Sequence, residues 1–309
     1  MATIDTISER SFRDSASNLK QTLKSNWFPY LFLTPLLAYL VFLLWIPFFR
    51  GIWMSFHDWP WFGRKVWVGL ENYVYIFTWE PFYTSLKATA LYLTITIIQL
   101  GLALIASLSL ANLDISGKLD SVVNGIYLIP YTMPPVVTGA LWILLLDPLY
   151  GPIFQPLLNL GIIQDPIFWE NDSTTAMAGI VVAGGWTFWP FMFLVIHASR
   201  ESIPGEYYES AQMYGASKLQ TFRHITYPQI KSAILVAVAI RIVWNLAKVS
   251  QPLQMTQGGP GWDTSMLAVM LYRFAFIRGQ LGQAYIIGIV LFLVSLTAVI
   301  IFVRANEEE

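Results

Sequence analysis

The sequence predicts an all-α membrane protein of six spanning helices, with both chain ends on the cytoplasmic side. Three observations carry this. First, 56% of the 309 residues are hydrophobic and only 12% charged, a balance foreign to water-soluble domains. Second, apolar windows of about 20 residues or more, enough to cross a hydrocarbon core of about 30 Å, fall near 27–50, 86–112, 122–146, 175–199, 231–256 and 284–304. No acidic residue occurs in any of them. Third, with the N-terminus inside, ten Lys and Arg flank the spans on the cytoplasmic side against six outside, and the external segment 147–174 contains none.

The polar N-terminal segment 1–26 carries Arg10, Arg13, Lys20 and Lys24 ahead of the first apolar run. That run exceeds a signal-peptide core and lacks a small-residue cleavage site, so it reads as an uncleaved membrane helix. The external stretch from about 51 to 85 is rich in Trp and Tyr, among them Trp53, Trp59, Trp61, Trp67, Tyr73, Tyr75 and Trp79. Such residues form interfacial belts in lipid headgroups, or meet a soluble partner; both readings are open. Pro130, Pro134 and Pro135 each remove a backbone donor from the third span and predict a kink, which either lines a cavity or packs tightly. Tyr127, Tyr131 and Thr138 are spaced by four and seven, close to one helical face. In the fourth span, Gly184 and Gly185 read as small residues for close helix approach. Trp186 and Trp189 read either as core side chains or as rings that stack on the C–H face of a sugar.

Between the fourth and fifth spans lies the segment 201–230, the one long mixed-charge stretch between apolar windows. Ser202, Ile203 and Pro204 offer a helix start, Gly215 a left-handed turn, and Ser217 a cap for a second helix. Leu219, Phe222 and Ile225 give that helix an apolar stripe, and Pro228 is expected to end it. The fifth span then places Arg241 about ten residues past Lys231, about 15 Å into the membrane. Asn245, Lys248 and Gln251 follow at steps of four, three and three on the same face, a stripe that reads as cavity lining or as packing between subunits. After it, Gly258, Gly259 and Pro260 specify a tight external turn.

Glu209-Ser210-Ala211, followed by Tyr214, Gly215 and Ala216 and then by Phe222, Ile225 and Pro228, resembles the cytoplasmic "EAA" loop of ABC importer permeases. Ser210 and Tyr214 depart from that pattern, which commonly has Ala and Asp there. Thr256-Gln257-Gly258-Gly259-Pro260 and the later Tyr272-Arg273-Phe274-Ala275-Phe276 resemble a T-x-GGP segment and a Y-x-x-A-F pattern of carbohydrate permeases. Val68 to Tyr73 is similar to the same family. Many relatives carry Phe-Asp before the turn, where this chain has Val249 and Ser250.

The resemblance covers roughly residues 25 to 305. It implies a type I ABC importer permease fold in a prokaryotic cell membrane: a transmembrane domain over 27–304 with a coupling loop at 201–230, and a short tail at 305–309. It further implies a second, homologous permease, two ATP-binding subunits that hold Mg-ATP, and an external solute-binding protein. Glu209, Ser210, Ala211, Tyr214, Gly215, Ala216, Phe222 and Pro228 would then couple to the ATPases. The solute would be a neutral sugar or, given Arg241 and Lys248, an anionic one such as a sugar or glycerol phosphate.

The residues also exclude several classes. There is no cysteine, and no phosphate-binding G-x-x-x-x-G-K-[ST] loop, so ATP hydrolysis is expected in separate subunits. His57, His197 and His224 show no metal-ligand spacing, and no catalytic triad or paired carboxylate stands out in the spans, so the chain is not expected to be an enzyme. No basic run suits nucleic acid. A secondary transporter would need a coupling-ion site and usually inverted repeats, and a channel a filter-like loop or a ring of charge; neither set of features is evident.

Overall fold

The computed structural model of the chain describes residues 27–112 and 117–307. The N-terminal segment with Arg10, Arg13, Lys20 and Lys24, and residues 308–309 of the tail, lie outside them. The architecture is mostly helical, as expected, with one short antiparallel pair added, β1 (His57–Asp58) and β2 (Val66–Trp67).

Helix α1, Trp27–Ser55, exposes apolar side chains such as Phe32 and Phe42. Its residues up to Met54 belong to one unit, and its last residue, Ser55, opens a second one that holds the remaining helices. The second unit contains α2 (Glu71–Thr78), α3 (Glu80–Leu93 continuing through Ile95–Asn112), α4 (Lys118–Thr132), α5 (Pro135–Leu145), α6 (Phe154–Asn159), α7 (Ser173–Glu201) and α8 (Gly205–Met213). Then follow α9 (Lys218–Leu246), α10 (Ser250–Thr256), α11 (Leu267–Ile277) and α12 (Leu281–Glu307). Among the described residues five helices are long and apolar enough to cross a membrane, and α4 with α5 makes a sixth if the bent pair is one span.

Helix α7 is the axis of this unit. Asp172 caps it by accepting from the backbone N–H groups of Thr174 and Thr175, and 72% of its apolar window is buried, against 33% for α9. One face packs with α3, α5, α10 and α11 around Tyr92, Ile95, Trp142 and Ile180, and another with α3 and α9 around Met192, Phe193, Ile196 and Ile230. The close approach of α3 depends on Gly184. A Cβ there would lie 2.5 Å from the Ile95 Cδ1 and 3.3 Å from the Tyr92 hydroxyl. Gly184→Val is expected to destabilise the protein by about 1–3 kcal/mol, measured as a lower melting temperature in detergent. An unchanged melting temperature would show that the interface yields.

Two expected spans are broken, and proline accounts for both breaks. Met133 and Pro134 each precede a proline, which drives the backbone out of the helical region; both are extended, and α4 and α5 meet at 94°. Pro130, by contrast, is accommodated within α4. The window 231–256 is not one helix either. Pro252 would clash with the Lys248 carbonyl in a continuous helix, so α9 stops at Leu246 and α10 restarts at Ser250, with Pro252 in a first turn that does not need its donor.

The expected helix end at Pro228 is not observed. A wide π-helical turn over Phe222–Thr226, in which the Tyr227 N–H bonds to the Phe222 carbonyl, precedes the proline, and the helix runs on to Leu246. The extra residue in that turn changes the hydrogen-bond register just where the proline has no donor to offer.

Part of the aromatic segment 51–85 is used internally. The Trp61 indole donates to the Ala275 carbonyl at 2.6 Å, and backbone bonds join Trp61 to Gly279 and Leu281 to Trp59, zipping this segment onto the turn between α11 and α12.

Candidate functional site

Polar groups of α7 and α9 converge on Gln99 of α3. Its Nε2 donates to the Gly184 carbonyl at 3.2 Å, and its Oε1 accepts from Arg241 Nε at 3.1 Å and from Asn245 Nδ2 at 3.3 Å. Arg241 Nη2 donates to Asn245 Oδ1 at 2.7 Å, and Asn245 Nδ2 to Thr96 Oγ1 at 3.0 Å. Arg241 is 1% exposed, so its guanidinium is engaged inside the bundle and does not line open space. Its geometry is that of a clamp holding three helices in register.

The stripe expected on one face of one helix is therefore divided. Arg241 and Asn245 belong to the buried clamp. Gln251, on α10 beyond the break, donates to Thr138 of α5 at 3.2 Å and to Thr187 of α7 at 3.0 Å. Thr138 lies on the far side of the α4–α5 bend from Tyr127 and Tyr131, so these three share no helical face. Lys248 sits in the break itself, half-buried, with its ammonium 3.9 Å over the Phe188 ring; the Arg241 guanidinium carbon lies 5.0 Å from the same ring.

The aromatic candidates also separate. Trp189 is buried and meets Tyr127 and Phe193 edge-on, and Trp186 is half-buried against Trp142. Tyr131 is exposed, and a line of rings leads from it through Phe191 to Trp244, which is 43% exposed. Gln99, Thr96 and Trp244 are absent from the candidates read from the sequence. The signal for Gln99 was present, since a side-chain amide isolated in an apolar window demands a partner.

The segment 201–230 forms two helices about a glycine turn. Gly215 has φ +71°, and the Ala216 N–H bonds to the Ala211 carbonyl while the Gly215 N–H bonds to that of Gln212, a Schellman closure of α8. Ser217 caps α9 reciprocally with Gln220. Ile203 is buried and Pro204 immediately precedes the first residue of α8. Glu209 and Ser210 are exposed, Ala211 is buried, and Met213, Tyr214 and Leu219 are 82%, 89% and 74% exposed, a patch of apolar side chains beside the turn. Phe222 is half-buried and lines, with Tyr208 and Arg200, a cleft of about 670 Å³. The Tyr208 and Thr226 hydroxyls lie 3.2 Å apart, joining α8 to α9. Because α9 continues past Pro228, the residues beside the patch and the Arg241 clamp share one helix.

The turn after α10 follows the expected pattern. Gln257 and Gly258 are left-handed and the Gly259–Pro260 bond is cis; Thr264 Oγ1 lies 2.7 Å from Thr256 Oγ1 and donates to the Gly259 carbonyl. Beside it Arg273 lies 3.8 Å over Trp262, and burial together with the neighbouring Arg278 guanidinium holds Arg273 below the usual guanidinium value.

Residues 99–308 match the family model for the binding-protein-dependent transport system inner membrane component. The chain is 31% identical to a probable ABC transporter permease protein, YurN, of Bacillus subtilis, over 91% of this chain and 97% of that one. It is 29% identical to the trehalose/maltose transport system permease protein MalF of Thermococcus litoralis, over 90% and 93%. Among solved structures, it resembles a chain of a bacterial alginate ABC transporter in complex with an alginate pentasaccharide-bound periplasmic protein. The TM-score is 0.75 at 23% identity, over 91% of this chain and 94% of that one.

Proposed function

Because the chain belongs to the family of binding-protein-dependent transport system inner membrane components, we propose that it is the permease subunit of an ATP-driven importer and forms half of a pathway for a saccharide. In this reading it crosses the membrane six times with both ends inside, beside a second, homologous permease. Two ATP-binding subunits hold Mg-ATP on the cytoplasmic side, and an external binding protein delivers the solute. The relative named for trehalose and maltose supports a saccharide, and the structural neighbour with its loaded periplasmic protein supports delivery from outside.

The observation that carries the reading is the segment 201–230: two capped helices about a left-handed glycine, presenting Met213, Tyr214 and Leu219 to solvent, with the second helix continuous into the Arg241 clamp. Such a patch is energetically unfavourable in water and suits a groove on a soluble partner. Docking there would let the closing of the ATPases displace α9 as a rod of 29 residues, about 43 Å at 1.5 Å per residue. The break that contains Lys248 and the corner at Met133–Pro134 are where the displaced helices can change angle.

Purified in mild detergent from its native membrane, the chain is expected to bring an ATP-hydrolysing subunit with it. The pair Tyr214→Asp and Leu219→Asp is expected to lower that recovery about tenfold, since both place a charge in a desolvated contact. A chain that purifies alone, or retains its ATPase in the double variant, would count against the reading.

A further inference from the structure

We infer that the saccharide carried along this pathway is an acidic one, bearing fixed negative charge as carboxylate or phosphate; the inference rests on the permease reading above. The Arg241 guanidinium and the Lys248 ammonium both lie on the Phe188 ring, at 5.0 and 3.9 Å. Among the described residues no carboxylate pairs with either of them. The guanidinium is met by two neutral amides, Gln99 and Asn245, which solvate its charge without cancelling it. Two like charges thus stand close together in the apolar part of the bundle. Keeping cations there without an anion is costly for each that reaches the apolar interior of the bilayer.

The two cations have different duties. Arg241 is locked and buried, so it contributes potential and not contact. Lys248 is half-buried, sits where the helix is interrupted, and follows the exposed Trp244 by four residues. Trp244 continues through Phe191 toward Tyr131, a line of rings against which the C–H faces of a saccharide can stack. An acidic sugar stacked on these rings brings its anion to the ammonium, in a low-dielectric setting where the attraction is weakly screened. A neutral sugar would gain the stacking alone and leave both charges uncompensated. The competing source of an anion is a carboxylate of the second permease, which would make the two cations part of the subunit interface.

The test uses the complete importer, with its second permease, ATPases and binding protein, in liposomes. The probes are a neutral hexose trisaccharide, the corresponding uronate trisaccharide and a hexose phosphate, each supplied at saturating binding protein. At least one anionic probe is expected to enter about tenfold faster than the neutral one, and Lys248→Gln is expected to cut that ratio about tenfold. Equal or faster entry of the neutral trisaccharide would overturn the inference and leave the permease reading standing. A Lys248→Gln variant that slows every probe alike, with loss of the second permease on purification, would also overturn it, in favour of a carboxylate between subunits. Entry of no probe would overturn the saccharide reading itself.

Discussion

A Gly215→Val variant is expected to insert normally, keep its thermal stability within the spans, and lose at least about tenfold in solute uptake. Gly215 has φ +71°, where a β-branched residue is disfavoured by about 1–2 kcal/mol or more. A Cβ would meet nothing within 4 Å, so the penalty lies in the backbone and not in a clash. The chain can escape it only by swinging φ negative, which breaks the bonds from Ala216 to Ala211 and from Gly215 to Gln212 that close α8. Tyr214 and Leu219, on either side of the turn, would then no longer present a common surface. Gly215→Asn supplies the control, because Asn tolerates the left-handed region and should retain most of the uptake. Uptake by the valine variant equal to that by the asparagine variant would show that the turn transmits nothing.

The second large effect is expected at Gln99. Gln99→Leu removes the acceptor of both Arg241 Nε and Asn245 Nδ2 and the donor to the Gly184 carbonyl, leaving a buried cation with half its solvation. The cost should be about 3–5 kcal/mol, the range for stranding a buried charge, and is measured by thermal unfolding in detergent. Adding Arg241→Met to Gln99→Leu removes the stranded charge, so the double variant should be more stable than Gln99→Leu alone. The cycle isolates the coupling between the two side chains. A Gln99→Leu protein that melts with the parent, or a double variant less stable than the single one, would mean that Arg241 finds its solvation elsewhere.

Much of the architecture was legible because its causes are local or compositional. Hydrocarbon excludes charge, so the apolar windows mark the helices that are long enough to span. The left-handed turns at Gly215 and Gly258 follow from the residue that tolerates them, and the capping of α9 by Ser217 from a hydroxyl three residues ahead of an amide. Gly184 was legible as a packing residue, and the structure adds what it admits, the Ile95 side chain of α3.

The errors arose where one local rule had several outcomes. From the sequence, proline is expected to end a helix at Pro228 and to bend one at Pro130, Pro134 and Pro135, and Pro252 carries no expected break. The structure does bend the third span, as a 94° corner before Pro135, but it absorbs Pro228 with a wide turn and divides the fifth window ahead of Pro252. The division moved Gln251 off the helix that carries Arg241, which dissolved the single polar stripe.

By itself the sequence determined that this chain carries apolar helices long enough to cross a membrane, that it contains no G-x-x-x-x-G-K-[ST] phosphate loop, and that one surface segment forms two helices about a glycine. Those conclusions depend on residue type and spacing, which act over a few residues. Only the tertiary structure decided which polar side chains are consumed inside the bundle and which remain available. Arg241 and Asn245 are satisfied by Gln99 and Thr96, residues more than 140 positions away, and no periodicity along one helix encodes which partner a neighbouring helix will bring. It also decided that α9 is continuous from the exposed turn to the clamp, because a helix survives a proline when its surroundings hold the turn before it open.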